Sequence, residues 1–160
     1  MVIRDSGEFR PTFMVVVPRI LEKLRVAARA KAQESKVGSV FAEADRTAIA
    51  WGEHLERTQD QPDLRPSRWL VLRHRLFERL FYGRLRALMG GRVDYLLSGA
   101  SALDPSLGNF FRGVGIPVIE GYGLTETTGP ITGNRPGTMR AGSVGIPIPG
   151  SSVRISDEGE

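Results

Sequence analysis

The sequence contains no cysteine and only two histidines, His54 and His74. Without thiols, disulfide frameworks and thiolate metal centres are excluded, and a zinc site built on histidine lacks ligands. An intracellular setting is permitted, and the expected location is the cytoplasm, with peripheral contact at a membrane as the alternative. Long apolar runs are also missing. The run near the N-terminus, Phe13 to Val17, ends at Pro18, far short of the roughly 20 apolar residues of a spanning helix. No secretory signal is expected. Lysine is scarce, with 3 against 19 arginines. No basic motif interleaved with aromatics accompanies those arginines, so no nucleic-acid partner is expected.

What is present is a chain of 160 residues, 41% hydrophobic and 25% charged, which fits a soluble globular domain with a core of its own. Its charge is uneven. Residues 1–92 hold 18 Lys and Arg against 11 Asp and Glu, whereas residues 93–160 hold 4 against 7. Sixteen of the 19 glycines lie from Gly83 onward, so the two halves differ in the backbone conformations they permit. The first half reads as helices and the second as strands and tight turns.

Thr12 to Val17 is a β-branched apolar run of the kind found in a strand buried on both faces of a parallel sheet. Pro18 suits the first turn of a helix, and Ile20, Leu21, Leu24, Ala27 and Ala28 follow at helical spacing. Val37, Phe41, Ala44, Ala48, Trp51 and Leu55 draw the stripe of a second helix, which Pro62 and Pro66 end. From Trp69 to Met89 a third helical region sets Leu72, Leu76, Leu80, Phe77, Phe81, Leu85 and Leu88 on one broad apolar face, closed by Gly90 and Gly91. After this the pattern changes. Val93 to Leu97 is a strand candidate, Asp104 and Pro105 are a helix N-cap and first turn, and that helix stops at Gly113 or Gly115. Pro117 to Ile119 is the next strand, and it leads into the loop Glu120 to Thr127. Short strands are expected at Ser143-Val144 and Ser151 to Ser156, on either side of a turn at Pro147 to Gly150. Strand, helix and strand form a βαβ unit, and ligands of such sheets sit beyond the carboxyl ends of the strands. The loops 98–103 and 120–127 fall at that edge.

Gly121-Tyr-Gly123 resembles the start of a dinucleotide fingerprint, but Glu126 occupies the third glycine position. A carboxylate there opposes a pyrophosphate unless a cation intervenes, so that reading fails, and no G-x-x-x-x-G-K-[ST] loop exists. The remaining set suits a magnesium nucleotide. Tyr122 can stack on a purine, a contact worth roughly 1–3 kcal/mol. Thr125 can donate to a phosphate oxygen, and Glu126 offers the hard oxygen ligand that Mg²⁺ prefers.

Glu120-Gly-Tyr-Gly-Leu-Thr-Glu-Thr127 resembles the adenine and phosphate motif of the adenylate-forming enzymes, the superfamily of acyl-CoA synthetases, firefly luciferase and peptide-synthetase adenylation domains. Ser98-Gly-Ala-Ser-Ala-Leu103 resembles the companion S-G-G-A-P-L loop, and Ser143-Val-Gly-Ile-Pro-Ile-Pro-Gly150 the V-G-x-P-x-P-G segment. Val17-Pro-Arg-Ile-Leu-Glu-Lys23 and the long helical stretch after it look most like the long-chain fatty acyl-CoA synthetase branch. The resemblance implies an α/β fold: a strand entering over 1–17, a helical insertion over 18–91, a βαβ adenine- and magnesium-binding segment over 92–140, and the start of a small β subdomain over 141–160. It implies that Gly99, Ala100 and Ser101 line the adenine pocket through backbone atoms and that Glu120, Gly121 and Tyr122 hold the base. It also implies that Gly123 borders the reacting carboxylate, Thr125 binds the α-phosphate and Glu126 coordinates Mg²⁺. ATP or AMP, Mg²⁺, coenzyme A and a long-chain fatty acid are the implied cofactors and substrates. Ala100 and Ala102 depart from the loop's usual glycine and proline, and alanine at 100 requires either a negative φ or tolerated strain.

The same resemblance expects a Gly/Ser/Thr-rich phosphate loop before Pro11, and a ribose-binding aspartate and an adenylation lysine after Glu160. None of Lys23, Lys31 or Lys36 stands in a matching context. The expectation is an internal fragment of a long-chain acyl-CoA synthetase, inactive alone. A fatty acyl-AMP ligase fragment and a non-catalytic remnant acting as an interaction module are the alternatives.

Overall fold

The computed structural model describes residues 9–157, so residues 1–8 and 158–160 of the first and last expected segments lie outside the described residues. Strand β1 (Phe13–Val16) is followed by α1 (Pro18–Glu34), α2 (Gly38–Asp60), α3 (Arg68–Phe77), a π turn over Glu78–Tyr82, and α4 (Gly83–Leu88). Then come β2 (Tyr95–Ser98), α5 (Pro105–Val114), β3 (Val118–Leu124), β4 (Gly129–Gly133) and β5 (Ile146–Pro147). The strands form one mixed sheet in sequence order. β1, β2 and β3 run parallel, and β3, β4 and β5 run antiparallel.

Helix ends follow local chemistry. The Asp104 carboxylate accepts the Leu107 N–H at 2.9 Å, and Pro105 occupies the first turn of α5. Gly115 closes that helix with φ of 91°, where the Ile116 N–H reaches back to the Phe111 carbonyl at 2.9 Å. Lys36 closes α1 in the same left-handed way, with φ of 59°. Ser67 caps α3 by accepting the Leu70 N–H at 3.1 Å.

The core lies on one side of the sheet. Val16, Leu96 and Val118, one from each parallel strand, pack with Leu21 and Leu24 of α1, Ala44 and Ala48 of α2, Phe77 and Leu85, and Leu107, Phe110, Phe111 and Val114 of α5. The alternate residues face the other way. Phe13 is 49% and Val15 75% exposed, so among the described residues β1 is a parallel strand covered on one face, not on two. Its outer row is still ordered, and the Phe13 and Tyr95 rings stack with centroids 5.8 Å apart.

Three further expectations are corrected. The third helical region does not bury one broad face. Phe77, Tyr82 and Leu85 turn inward, while Leu72, Leu76, Leu80 and Leu88 point outward. The π turn shifts the phase of the helix, with the Gly83 N–H bonding the Glu78 carbonyl five residues back. The Glu120–Thr127 segment is not a loop throughout: β3 continues to Leu124 and pairs with β4 as a hairpin. Near the end of the chain the strand is Ile146–Pro147, and neither Ser143-Val144 nor residues 151–156 form one.

Helices α2 and α5 cross at backbone contact. A Cβ added to Gly52 would fall on the Asn109 carbonyl, and one added to Gly113 on the Ala48 carbonyl. Around this crossing the Tyr82 hydroxyl donates to the Ala44 carbonyl at 2.6 Å and His74 Nε2 meets the Gly113 carbonyl at 2.7 Å. Burial pushes the Tyr82 hydroxyl's pKa well above the ordinary tyrosine value, so it remains a donor. At the far end, the Arg112 guanidinium donates to Glu56 Oε2 and to the Met139 carbonyl, both at 2.9 Å. The same Glu56 oxygen accepts the Ala141 N–H at 3.1 Å, which ties the segment after β4 to both helices.

Alanine normally favours a helix over glycine by about 1 kcal/mol. Gly52→Ala and Gly113→Ala are nevertheless expected to destabilise the chain by about 1–3 kcal/mol or more, because the helices must separate; urea unfolding measures the sign. Glu56→Ala leaves Arg112, 9% exposed, without its carboxylate, and the expected loss is about 2–3 kcal/mol, read in the same assay.

Candidate active site

The carboxyl ends of β2 and β3 and the β3–β4 hairpin bring the motif residues to one edge of the sheet. β2 ends at Ser98, and the chain turns through Gly99, Ala100 and Ser101 before α5. Ala100 takes a φ of 69°. Of the two conformations open to it from sequence, the strained left-handed one is adopted.

Glu120 sits in register with Ser98, and its side chain enters the buried, helix-facing side of the sheet. Its carboxylate accepts the Leu103 N–H at 3.4 Å and is also held by the Gly142 N–H. Burial raises the Glu120 pKa above the ordinary glutamate value, and the two N–H bonds pull against that shift. Its backbone carbonyl takes the Asn134 N–H at 2.8 Å. The side chain thus braces loop 99–103 and the segment after β4 from beneath. Among the described residues, the buried Ser98 and Thr132 hydroxyls on the same side of the sheet lack a protein partner.

Beyond Glu120 the strand alternates. Gly121 and Gly123 face the open side of the sheet, and Tyr122, 45% exposed, faces the other. Gly123 is required by the hairpin: a Cβ there would strike the Gly129 carbonyl and Pro130. The pairing slips by one residue between Tyr122 and Gly123, a bulge that bends the strand end. At the tip Thr127 Oγ1 accepts the Leu124 N–H at 2.9 Å and lies 2.7 Å from the Gly129 carbonyl. Thr128 has a φ of 63°, unusual for a β-branched residue. This tight turn leaves Thr125 and Glu126 exposed.

A cavity of about 470 Å³ opens on the uncovered face of the sheet. Val15, Leu97, Ile119, Leu124 and Pro130 make its walls apolar, and Gly99, Ala100, Gly121, Gly123 and Gly129 bring backbone to its surface. The structure therefore brings Gly99, Ala100, Gly121 and Gly123 together. It sets Glu120 and Tyr122 on the opposite face, and Thr125 and Glu126 on the turn. Ser101 is exposed and outside the cavity. Among the described residues no group of three His, Asp or Glu gathers as a metal cage. Glu126 is a single exposed carboxylate on the turn; Mg²⁺ generally keeps several waters and takes few protein ligands.

Sequence reading missed Thr127, Asn134, Glu56 and Arg112. Thr127 stands in the motif and has the Ser/Thr turn chemistry that fastens a tight loop. Asn134 lies in Gly133-Asn-Arg-Pro-Gly137; its amide donates to the Ser143 carbonyl and its carbonyl accepts the Arg140 N–H at 3.3 Å. Glu56 and Arg112 carry no local signal, since they are 56 residues apart.

The family model described as AMP-binding enzyme matches residues 1–160. Long-chain-fatty-acid–CoA ligase FadD15 of Mycobacterium bovis is 40% identical over 152 residues, covering 95% of this chain and 24% of that protein. Long-chain-fatty-acid–CoA ligase 6 of Rattus norvegicus is 29% identical over 157 residues, covering 98% of this chain and 20% of its own length. The chain therefore spans about a quarter or less of the curated relatives it matches. The crystal structure of the anthranilate CoA ligase AuaEII in complex with anthranoyl-AMP aligns with a TM-score of 0.50 at 19% identity, over 99% of this chain and 20% of that one, a likeness of fold. With the family model matched from end to end, and the glycine-bordered cavity and hairpin at the sheet edge, the chain belongs to the AMP-binding enzyme family.

Proposed function

We propose that this chain is the adenine- and acyl-facing part of an AMP-forming long-chain fatty acid–CoA ligase. The overall reaction converts ATP, a fatty acid and coenzyme A to acyl-CoA, AMP and pyrophosphate through an acyl-adenylate. The observation that carries this reading is the apolar, glycine-bordered cavity beside the Thr125–Glu126 turn, which supports it because apolar walls suit a hydrocarbon and the turn carries groups suited to phosphate. Its volume falls within the range of small-molecule sites, and the names of the relatives point to the same substrate class. Peripheral contact with a membrane agrees with a fatty acid substrate.

In the first half-reaction a fatty carboxylate oxygen attacks the α-phosphorus of ATP, a P–O bond forms, and the bond to pyrophosphate breaks. In the second, the thiol sulfur of coenzyme A attacks the acyl carbonyl and AMP leaves with the electron pair. Loop residues Gly99, Ala100 and Ser101 and the Gly121 backbone border the adenine edge, and the Tyr122 ring stacks on its face from the side of the strand opposite the acyl cavity. Glu120 acts on the base through the strand it braces, because its carboxylate is engaged by backbone N–H groups. Gly123 lets the reacting carboxylate come close to the chain. Thr125 donates its hydroxyl proton to an α-phosphate oxygen, a contact that gains strength as charge builds there. Glu126 would hold Mg²⁺, which when bound neutralises phosphate charge. The walls at Val15, Leu97 and Ile119 take the hydrocarbon and exclude water.

Calorimetric titration of the chain with AMP tests the base contacts: Tyr122→Ala is expected to weaken binding about tenfold, within the range for loss of one stacked base. The resemblance assigns the phosphate loop and the adenylation lysine to residues other than these 160, so palmitoyl-AMP should not accumulate from ATP and palmitate; its appearance would contradict that assignment. Ala100→Gly removes the left-handed strain and the methyl at the cavity rim. The expected gain in stability is about 1 kcal/mol, with AMP affinity retained or improved, read from thermal melts with and without AMP.

A further inference from the structure

Between β4 and β5 the chain runs from Asn134 to Gly145 without helix or strand. Its backbone groups must therefore find other partners, and over four successive residues those partners are side chains. The Met139 carbonyl accepts Arg112 of α5 at 2.9 Å and the Gln59 amide of α2 at 3.1 Å. The Arg140 N–H goes to the Asn134 side-chain carbonyl at 3.3 Å. The Ala141 N–H goes to Glu56 Oε2 of α2 at 3.1 Å, and the Gly142 N–H goes to the Glu120 carboxylate. Helices hold this segment on one side, and the motif strand takes it on the other.

The two holds meet between Ala141 and Gly142. Gly142 adopts a left-handed φ of 76°, open to glycine at no steric cost, and a Cβ at this position would stand 2.9 Å from Pro105 Cγ at the start of α5. One planar peptide separates the N–H on Glu56 from the N–H on Glu120, so Gly142 cannot keep its place if Ala141 moves. Glu120 in turn accepts the Leu103 N–H at the end of loop 99–103 and directly precedes Gly121 and Tyr122. Glu56 is well placed to fix Ala141. The same oxygen that takes the Ala141 N–H is bound to Arg112 at 2.9 Å, and the two side chains are 22% and 9% exposed. The Asp60–Arg140 pair grips the same segment differently: it joins side chains alone, both more than half exposed, and such a pair anchors little.

We propose that Glu56 is a positioning residue for the nucleotide site: through Ala141 and Gly142 it sets the place of the Glu120 carboxylate, and with it loop 99–103 and the strand that carries Gly121 and Tyr122. The role rests on nucleotide binding at this sheet edge. Coupling between two sites is reciprocal, so a nucleotide bound there holds Ala141 more firmly on Glu56.

The test titrates the full chain and its variants with AMP by calorimetry and reads backbone amide exchange by NMR. Glu56→Ala is expected to weaken AMP binding about fivefold, with faster exchange at Leu103 and Gly142. Glu56→Gln keeps a carbonyl oxygen for the Ala141 N–H but loses the charge opposite Arg112, so its urea midpoint should fall while its AMP affinity is retained. Gln59→Ala leaves the Glu56–Arg112 pair in place and should weaken AMP about threefold; it decides the matter if Glu56→Ala does not fold. Asp60→Ala should bind AMP as the parent does. In the parent, saturating AMP should slow Ala141 exchange by about the factor that Glu56→Ala loses in affinity. Unchanged AMP affinity in Glu56→Ala and Gln59→Ala would overturn the proposal. So would a loss in Glu56→Gln as large as in Glu56→Ala, which marks lost stability and not lost position. A parent chain that binds no AMP would overturn nucleotide binding itself and this role with it, whereas a parent that binds and variants that stay silent overturn the role alone.

Discussion

Two helices in this protein touch through their backbones, and most of the remaining structure is arranged around that contact. Gly52 of α2 and Gly113 of α5 leave no room for a methyl group, so the helices approach closely enough for Ala44 and Ala48 to be buried beside Tyr82 and Phe111. α5 is also the crossover between β2 and β3. Its depth against α2 therefore sets where Phe110, Phe111 and Val114 press on the sheet, and with them the height of the two strand ends at which the motif residues lie. The Tyr82 and His74 bonds to helix carbonyls hold the third helical region to the same crossing.

Glu120 extends this frame to the site. A buried carboxylate is unfavourable unless hydrogen bonds satisfy it, and the N–H groups of Leu103 and Gly142 do so. One side chain thereby connects the loop after β2, the strand that carries the motif and the segment after β4. Arg112 and Glu56 hold that last segment from the helical side. The loop and the hairpin that would meet a nucleotide rest on a buried scaffold, while Thr125, Glu126 and Tyr122 stay exposed at its edge. Rigid support beneath a few exposed functional groups is the arrangement that holds a reacting ligand in place without prior reorganisation.

Local signals in the sequence were reliable where the physics is local. Asp104-Pro105 and Gly115 bounded α5 because capping and left-handed closure depend on neighbours in the chain. The glycines of Gly121-Tyr-Gly123 suit a sharp turn or a close approach of backbone, and at Gly123 the backbone that comes close is that of the opposing hairpin strand. Signals that depend on what lies across space were misleading. The β-branched run at Thr12 to Val17 has the composition of a strand covered on both faces, yet among the described residues one layer of helices packs on it. The leucines of the third helical region follow helical periodicity, but periodicity does not say which side the core takes. The π turn, with Glu78 paired to Arg86, changes the phase midway.

The sequence by itself determined the α/β class, the family resemblance carried by three ordered motifs, and the bounds of α5, because these depend on side-chain chemistry and short-range backbone preference. Tertiary structure alone decided that Ala100 adopts the left-handed conformation, that Glu120 turns beneath the sheet while Gly121 and Gly123 face the cavity, and that Trp69, Leu72, Leu76 and Leu80 lie outside. Those outcomes depend on strand register, on the phase of a helix across a π turn, and on a carboxylate finding N–H partners 17 and 22 residues away in the chain. Each is a choice between two faces, and only the packing of distant segments selects one.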